Sequence, residues 1–438
     1  MKIPTISILG KPNVGKSTLF NRLVGKKQSI VSSVAGVTRD RVYGKFEWLN
    51  KEYHLIDTGG YIHDSTDTID KQVNFQAAIA KNTSDVIIFM VDGSESLSSN
   101  DLTLSKIIKK SGKPCILVLN KIDSISSEVN SYEFYELGFE DLICTSAQNG
   151  RQIGLLLDKI DELDLHRDIL NVENEDIINL AIVGMPNVGK SSLMNSIIKE
   201  DKSIVTSVAG TTRDSVDSYI NYFNKSLRII DTAGLRKKSK MDDAIEFYSS
   251  LRSVRAIDES DVVALLIDAK KGITNYDKNI IKYIFSKGKG MLIVINKWDL
   301  IDKETNTMQN IKDDITYKFP VLNHYPIIFI SIKNNFRIGN VLKNTLEIYK
   351  NRLMKISTKK LNEFLKKIIS KKSPPAVNGK EIKIKYITQV HQAPPVFAIF
   401  TNFPDLIEES YKRYILNQIL KEFGFYGVSV KISIRPNK

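Results

Sequence analysis

Residues 10–18 read GKPNVGKST and residues 184–192 read GMPNVGKSS, so one nine-residue motif occurs twice, 174 positions apart. Three further motifs recur at offsets of 174 or 176 positions: SIVSSVAGVTRD ending at Asp40 and SIVTSVAGTTRD ending at Asp214, DTGG at Asp57 and DTAG at Asp231, NKID at Asn120 and NKWD at Asn296. A nearly constant offset over four motifs indicates that one domain has been duplicated.

Short β-branched runs alternate with longer helix-like segments in each copy. In the first copy, strands are predicted at Ile6–Leu9, Tyr53–Ile56 and Ile116–Leu119, each directly before a motif. This alternation predicts an α/β fold, with a mostly parallel sheet and helices on both faces. Ligands of such sheets bind at the carboxyl ends of the strands, which is where the motifs fall.

The repeat also sets the predicted domains. They are a first α/β domain at 1–165, an acidic linker at 166–177, a second α/β domain at 178–350 and an α+β domain at 351–438. The last domain is predicted to contain these elements in order: helix Leu361–Ile369, strand Ile382–Val390, strand Val396–Phe400, helix Ile407–Phe423 and strand Val428–Ile434.

The positive charge is concentrated in the last domain. The 438 residues carry a net charge of +13, and from Arg352 to Lys438 there are 17 Lys and Arg against 6 Asp and Glu. That excess favours a polyanionic partner such as RNA, although a lysine-rich proteome would give the same total. The apolar runs are too short to span a bilayer and no signal peptide is seen, so we expect a cytoplasmic protein without a membrane partner.

The nine-residue motif has the form GxxxxGK[ST] after a strand, which predicts a P-loop. Its glycines let several backbone N–H groups face the phosphates of a nucleotide. Lys16 is expected to reach the β- and γ-phosphates and Ser17 to offer its hydroxyl to Mg²⁺, while the helix that follows points its positive end at the anion. Lys190 and Ser191 are expected to do the same in the second copy.

Two acidic positions complete the predicted magnesium chemistry. Asp57 and Asp231 are predicted to end the third strand of their copies, where a carboxylate can hold Mg²⁺ through water. Gly60 and Gly234 follow three residues later, and a glycine there leaves a backbone N–H open to the γ-phosphate.

Thr38 and Thr212 lie in the loop between the P-loop helix and the next strand. A hydroxyl in that loop can complete the magnesium shell when GTP is bound, and release of the loop after hydrolysis makes a switch. A surface threonine is usually only solvated, but the matching flanks AGVTRD and AGTTRD favour the functional interpretation.

The sequences Asn120-Lys121-x-Asp123 and Asn296-Lys297-x-Asp299 predict selection of guanine over adenine. A carboxylate accepts hydrogen bonds from guanine N1–H and N2–H₂, which adenine cannot supply. A site built this way rejects the wrong base by roughly 10⁴-fold. The motif therefore narrows the prediction from a P-loop NTPase to a GTPase.

A fifth motif is TSA at Thr145 in the first copy and Ser331-Ile332 in the second. Ala147 is predicted to present its N–H to guanine O6. Ile332 stands where a small residue is usual, so looser packing on the base is expected in the second copy.

The predicted GTP contacts of the first copy are Gly10, Lys11, Pro12, Asn13, Val14, Gly15, Lys16, Ser17, Thr18, Asp57, Thr58, Gly59, Gly60, Tyr61, Asn120, Lys121, Ile122, Asp123, Ser146 and Ala147. Those of the second copy are Gly184, Met185, Pro186, Asn187, Val188, Gly189, Lys190, Ser191, Ser192, Asp231, Thr232, Ala233, Gly234, Leu235, Asn296, Lys297, Trp298, Asp299, Ser331 and Ile332. The predicted catalytic residues are Lys16, Thr38, Lys190 and Thr212, and the predicted Mg²⁺ ligands are Ser17, Thr38, Asp57, Ser191, Thr212 and Asp231.

With five motifs in the same order twice, the chain resembles the Der, or EngA, family of GTPases with two G domains. The resemblance extends to DTAGLR at Asp231, to YSSLRSVRAI at Tyr248, and to YITQV at Tyr386 with Pro394-Pro395. It implies two tandem P-loop G domains followed by a KH-like domain, and GTP hydrolysis coupled to binding the large ribosomal subunit and its rRNA. Electrostatic attachment to RNA and packing between the G domains are both left open for the KH-like domain.

Many GTPases orient the attacking water with a glutamine after the DxxG motif, but Tyr61 and Leu235 occupy that position here. The chain is similar in this respect to GTPases that carry a hydrophobic residue there. In that group a P-loop asparagine, matching Asn13 and Asn187, helps to bind K⁺, which would offset charge in the transition state. The alternative is that both asparagines only brace the loop.

We expect a monomer that binds GTP and GDP with Mg²⁺, and K⁺ if the asparagines bind it, and that acts on pre-ribosomal particles. One alternative is another class of GTPase, such as a partner in tRNA modification or a regulator of a membrane transporter. A second is a GTP-gated RNA-binding scaffold whose hydrolysis is incidental. The duplicated G domain and the lack of an apolar span or a modification-cofactor motif favour the first hypothesis.

Overall fold

A computed structural model of the chain describes residues 3–25, 43–59, 83–163, 165, 177–200, 218–223, 225–230, 242–302, 306–377 and 379–437. The chain divides into two compact units. One comprises Met1–Asn174 with Asp242–Phe247, and the other comprises Glu175–Met241 with Tyr248–Lys438. The domain bounds expected from the repeat stay a prediction, since this division groups the second α/β domain with the C-terminal residues.

The first unit is built on a six-stranded sheet in the order β2-β3-β1-β4-β5-β6. Only β2 is antiparallel to its neighbour, and the other pairs are parallel. Its strands are β1 Thr5–Leu9, β2 Tyr43–Trp48, β3 Lys51–Asp57, β4 Val86–Asp92, β5 Cys115–Asn120 and β6 Leu142–Cys144. Its helices are α1 Lys16–Val24, α2 Ser99–Ser111 and α3 Ile153–Glu162, and a 3₁₀ segment covers Ile125–Leu137.

Every residue of β4 is buried, and so is every residue of β1. Continuous apolar strands of this kind are typical of parallel sheets that are covered on both faces. A core of aliphatic residues from the sheet, α1 and α3 fixes the strands side by side. The carboxyl ends of β1, β4 and β5 therefore meet at one edge, where the motifs lie.

The second unit repeats this sheet. Its order β12-β11-β10-β7-β9-β8 is the order of the first sheet read from the other end, and β8 is again the antiparallel strand. The strands are β7 Ile178–Gly184, β8 Ser218–Tyr222, β9 Lys225–Ile230, β10 Val262–Asp268, β11 Gly290–Asn296 and β12 Ile327–Phe329. The helices are α4 Lys190–Glu200, α5 Asp242–Glu259, α6 Asn275–Lys287, α7 Thr307–Lys318 and α8 Gly339–Arg352. The predicted duplication of a mostly parallel α/β domain is confirmed.

The C-terminal residues form a three-stranded sheet in the order β13-β14-β15 with two helices. The elements are α9 Thr358–Lys371, β13 Ile384–His391, β14 Val396–Thr401, α10 Glu409–Phe423 and β15 Lys431–Pro436. The order helix, strand, strand, helix, strand is the predicted one, which confirms the α+β prediction. A single apolar core continues from the second six-stranded sheet into this domain.

The last predicted strand, Val428–Ile434, begins too early. Residues 427 and 428 pair with the second α/β domain instead: Gly427 N–H donates to the His324 carbonyl at 2.7 Å, and Met291 N–H donates to the Gly427 carbonyl at 2.9 Å. Val428 also forms an antiparallel bridge with Gly290 at the start of β11. Backbone groups used there are not available to β14, so β15 starts at Lys431.

Candidate nucleotide sites

The two P-loop glycines of each copy lie where a side chain would not fit. Gly10 has a φ of 152°, and a Cβ on it would lie 2.1 Å from the Met90 carbonyl oxygen in β4. Gly15 has a φ of 99°, with the Asn120 amide 2.2 Å from the position of its Cβ. The loop therefore passes against its neighbouring strands with backbone alone, which leaves its N–H groups free to curl around an anion.

Lys16 is held under the loop. It is 5% exposed, and its ammonium donates to the carbonyls of Gly10 at 2.9 Å and Lys11 at 2.7 Å. Burial lowers the pKa of Lys16 to about 8, although the nearby Asp57 carboxylate acts in the opposite direction. The structure thus places a buried cation at the mouth of β1, which is the position that a phosphate-binding lysine needs.

Ser17 and Asp57 come together from α1 and β3. The Ser17 hydroxyl donates to Asp57 Oδ2 at 2.6 Å, and the other carboxylate oxygen accepts from the Gly59 N–H at 2.8 Å. Asp57 is the last residue of β3 and is 1% exposed. A hydroxyl and a carboxylate oxygen in contact form a donor set that suits Mg²⁺, which takes one or two protein ligands and completes its shell with phosphates and water.

The second P-loop has the same construction. The Lys190 ammonium donates to the carbonyls of Gly184 and Met185, both at 2.8 Å. Gly184 has a φ of 150°, and a Cβ on it would lie 2.3 Å from the Leu266 carbonyl oxygen. The sequence offset of 174 therefore corresponds to a repeated three-dimensional loop.

Asn120 and Asn296 join three loops in each copy. Asn120 Nδ2 donates to the Val14 carbonyl at 2.8 Å, and its Oδ1 accepts from the Ala147 N–H at 2.8 Å. In the second copy, Asn296 Nδ2 donates to the Val188 carbonyl at 2.8 Å, but the Ile332 N–H lies 3.4 Å from Asn296 Oδ1. The contact between Ile332 and Asn296 is therefore longer than its counterpart in the first copy, and the looser packing on the base stays a prediction.

The Ala147 N–H donates to the buried amide oxygen of Asn120 at the end of β5. Its predicted contact with guanine O6 stays a prediction.

The base-selecting carboxylates lie beside these loops. Asp123 is exposed, and its Oδ1 accepts from Asn149 Nδ2 at 2.9 Å. Asp299 is half-buried and accepts from the Ser331 hydroxyl at 2.6 Å. Asp299 therefore has a polar neighbour within the fifth motif, Asp123 has one just after that motif, and each contact orients its carboxylate.

Two aspartates of the site were not identified from the sequence. They lie near the lysines of the two Asn-Lys-x-Asp motifs. Asp92 ends β4 and pairs with Lys121 at 2.5 Å, while Asp268 ends β10 and pairs with Lys297 at 2.7 Å. Burial, the largest single effect, would raise the pKa of both carboxyls, but the hydrogen bond and charge of the lysine together with further hydrogen bonds from neighbouring residues lower the pKa below its ordinary value. The signal that could have identified them is their spacing of 176, which is the offset of the adjacent Asn-Lys-x-Asp motif.

Asn13 and Asn187 both have left-handed backbones, with φ of 65° and 63°, and both are exposed. Asparagine tolerates this conformation better than most residues, so each has a structural reason to occupy its loop. This geometry is compatible with loop bracing and with a role in cation binding alike.

Part of the predicted site lies outside the described residues, namely Thr38, Gly60, Tyr61, Thr212, Asp231, Thr232, Ala233, Gly234 and Leu235. Within the described ranges, no group of three or more His, Cys, Asp or Glu residues is arranged to hold a metal ion. Among the helices of those same ranges, none is long and apolar enough to cross a membrane.

Family models match most of the chain. The model described as 50S ribosome-binding GTPase matches residues 5–121 and 179–297. The model described as the KH-domain-like C-terminal domain of EngA bacterial GTPase enzymes matches residues 355–435. The matches cover both copies of the P-loop and the C-terminal α+β domain.

Curated relatives align over the whole length. Proteins named GTPase Der are 45% identical in Clostridium tetani, over 99% of both chains, and 44% identical in Clostridium perfringens, over 100% of both. The relative of the same name in Finegoldia magna is 43% identical over 99% of each chain. A solved structure of Era from Aquifex aeolicus is 24% identical with a TM-score of 0.32, covering 59% of this chain and 93% of its own, and a score this low supports no conclusion.

Proposed function

This chain belongs to the Der, or EngA, family of GTPases with two G domains, and from that membership we propose that it is a GTP-driven switch in maturation of the large (50S) ribosomal subunit. GTPase activity and a KH-like C-terminal domain come with the family. One observation carries the proposal. Both units repeat the same arrangement of the P-loop lysine, the asparagine that joins neighbouring loops and the base-selecting aspartate.

We assign GTP to the residues that the sequence predicted in each copy. The ammonium of Lys16 or Lys190 would leave the loop carbonyls for the phosphates, since a phosphate oxygen is a stronger acceptor than a neutral carbonyl. Ser17 and Asp57 would hold Mg²⁺ in the first copy, with Thr38 completing the shell, and Mg²⁺ would neutralise charge on the phosphates when bound. In the second copy Ser191, Thr212 and Asp231 would take these roles.

The residue after the DxxG motif usually orients the attacking water. Here that residue is Tyr61 in the first copy and Leu235 in the second, and neither is a base. We therefore propose that K⁺ beside Asn13 and Asn187 offsets the developing charge. The turnover number should be higher in KCl than in NaCl at matched ionic strength, and equal turnover in both salts would reject the role of K⁺.

The proposed RNA contact is the solvent face of α9. Its exposed residues are lysines apart from Thr358, Glu363 and Ser370, and these lysines are Lys359, Lys360, Lys366, Lys367 and Lys371. Among the ion pairs of the described residues, only Lys367 of this set takes part, with Glu422 at 3.6 Å. Lysines without acidic partners release counterions when they meet a phosphate backbone, which favours RNA as the partner.

The description of the matching family model as ribosome-binding supports the large subunit as the particle that carries this RNA. We further propose that the protein acts as a cytoplasmic monomer. The test is co-sedimentation with purified 50S particles in GDP and in a non-hydrolysable GTP analogue. Binding that depends on the GTP analogue is expected, and equal binding in both states with no change in GTP turnover would indicate a scaffold whose hydrolysis is incidental.

A matched pair of variants tests the α9 face. Lys359→Gln with Lys366→Gln should weaken 50S binding and reduce the slope of log K against log salt by about 1.5, because two phosphate contacts are lost. Lys106→Gln with Lys110→Gln on α2 removes the same charge from exposed positions and should leave the slope unchanged. If both pairs reduce the slope equally, the contact is not local to α9.

A further inference from the structure

The residue after the first P-loop glycine differs between the copies: it is Lys11 in the first and Met185 in the second. The backbone carbonyl of this residue has the same partner in both, since it accepts from Lys16 at 2.7 Å or from Lys190 at 2.8 Å. Any difference between the two loops at this position therefore comes from the side chain.

In the first copy, the Lys11 side chain ties the P-loop to the residues that lead into α2. Its Nζ lies 3.0 Å from Glu95 Oε2 and 3.7 Å from Asp101 Oδ2. Asp101 is 1% exposed, and it forms a capping box with Ser98 at the start of α2. Burial alone would lower the pKa of Lys11, but the carboxylates around it raise the pKa by more. The pKa of Lys11 is therefore above its ordinary value, and the charged form is favoured.

The second copy keeps only one of the two acids of this contact, because Asp277 matches Asp101 whereas Lys271 matches Glu95, and Met185 replaces the cation. Asp277 occupies the matching place at the start of α6, also 1% exposed, in a capping box with Thr274. Its Oδ2 accepts from the Thr274 N–H at 2.8 Å and from the Thr274 hydroxyl at 2.6 Å. No ion pair within the described residues uses Asp277, and the neutral Met185 cannot supply one.

Burial of the Asp277 carboxylate changes its pKa. Desolvation raises the pKa of Asp277, and the hydrogen bonds from Thr274 and the charge of Lys190 offset it only in part. In both copies Oδ1 of the aspartate has no hydrogen-bond partner among the described residues, but within those residues only the first copy has an ion pair to the carboxylate. A buried carboxylate without an ion-pair partner is an unfavourable arrangement that a lysine could relieve.

We propose that the residue at 11 or 185 is a positioning residue that sets how firmly each P-loop is held for nucleotide, with Asp101 or Asp277 as its anchor. The proposal rests on the GTP sites assigned above. The first loop is fixed before binding by the Lys11 pair, whereas the second loop lacks this contact. A loop that is already ordered loses less freedom on binding, so the first site should hold GDP and GTP more tightly.

Each site can be measured alone in the full-length protein with a fluorescent GDP analogue. The first site is read in an Asp299→Ala background and the second in an Asp123→Ala background. Lys11→Met should weaken the first site about three- to fivefold, in line with a partly exposed ion pair, and Lys11→Arg should restore it. The KM for GTP should follow the same change while kcat stays constant, because the contact does not touch the reacting phosphate.

The stronger test is gain of affinity in the second site. Met185→Lys should tighten binding about three- to fivefold, and the gain should vanish when Asp277→Asn is added. Met185→Leu, which changes shape without adding charge, should not reproduce this gain. A gain that persists with Asp277→Asn would overturn the proposal.

Two controls separate the anchor from the site itself. Lys106→Met removes an exposed cation from α2 and should leave first-site affinity unchanged; an effect equal to that of Lys11→Met would overturn the anchor. Lys16→Ala should abolish first-site binding. If Lys16→Ala abolishes nucleotide binding but Lys11→Met has no effect, the proposed anchor is wrong and the assigned nucleotide site is retained. Intact binding in Lys16→Ala would reject the assigned site.

Discussion

At the scale of single residues, Lys16 shows how burial changes the pKa of a phosphate-binding side chain. The folded chain removes its ammonium from water and gives it two neutral carbonyls as hydrogen-bond acceptors, so its pKa falls to about 8 although the Asp57 carboxylate acts in the opposite direction. A phosphate group would restore the preference for the charged form, since an anion nearby favours a cation.

This shift predicts proton uptake on binding. Above pH 8 the Lys16 side chain of the first site is partly neutral, so nucleotide binding must take up a proton. The affinity for nucleotide should therefore fall as the pH rises from about 8 towards the ordinary pKa of lysine. The same shift means that folding stability increases over this pH range, because the unfolded chain holds the proton more tightly than the folded one. Calorimetry at pH 9 in buffers of different ionisation enthalpy would measure the uptake, and buffer-independent heats would contradict it.

The base-selecting aspartates give a second residue-scale prediction. Asp123→Asn or Asp299→Asn replaces one acceptor by a donor, so GTP affinity at that site should fall by roughly 10²-fold or more. Xanthosine triphosphate, which has a carbonyl where guanine has an amine, should bind the variant better than the wild type. Competition binding with the two nucleotides at each site would show this exchange, and unchanged preference would place the base elsewhere.

At the scale of elements, the strand-to-loop transition after β1 depends on backbone contact. Gly10 leaves β1 so close to β4 that no side chain fits against the Met90 carbonyl. Gly184 and β10 repeat this approach in the second unit. The loop is therefore shaped by its packing against the sheet as well as by its own glycines.

Gly10→Ala should lower the free energy of unfolding of the first unit by about 3 kcal/mol, since the new Cβ forces the loop or β4 to move. GDP binding at the first site should be lost with it. Gly154→Ala is the matched control: its Cβ would meet nothing within 4 Å, and in helix α3 the change should be neutral or stabilising by up to about 1 kcal/mol. Thermal unfolding of both variants compares the two positions, and equal stabilities would contradict the close approach.

At the scale of the whole molecule, the C-terminal domain is continuous with the second G domain. The two share one apolar core, and Gly427 exchanges backbone hydrogen bonds with His324 and Met291. Arg352, at the end of α8, also pairs with Asp261 beside β10 at 2.7 Å. These contacts make the second unit a single packed body rather than two domains joined by a linker.

Gly427→Ala tests this continuity, because a Cβ there would lie 2.5 Å from Ile348 Cγ1 and the residue has a φ of 78°. Hydrogen exchange should become faster in both β11 and β14, since a shared core opens as one unit. Faster exchange confined to the C-terminal strands would show that the two parts unfold separately.

The sequence by itself determined the duplication, the sheet class, the P-loops and the base-selecting motifs. Each of these depends on residues that lie close together in the chain, such as Gly10, Gly15 and Lys16, and local spacing is readable without coordinates. The tail was also predicted as an α+β domain, because its periodicities are local too.

Only the tertiary structure decided which distant residues meet. Asp92 reaches Lys121, Val428 pairs with Gly290, and Asp277 is buried in the copy whose P-loop carries Met185. Spacing marks Asp92, but none of these contacts follows from spacing, because each depends on how strands are ordered across a sheet and on which carboxylate the packing removes from water. The sequence shows that Lys11 and Met185 differ, and only the structure shows that Lys11 reaches Glu95 and Asp101.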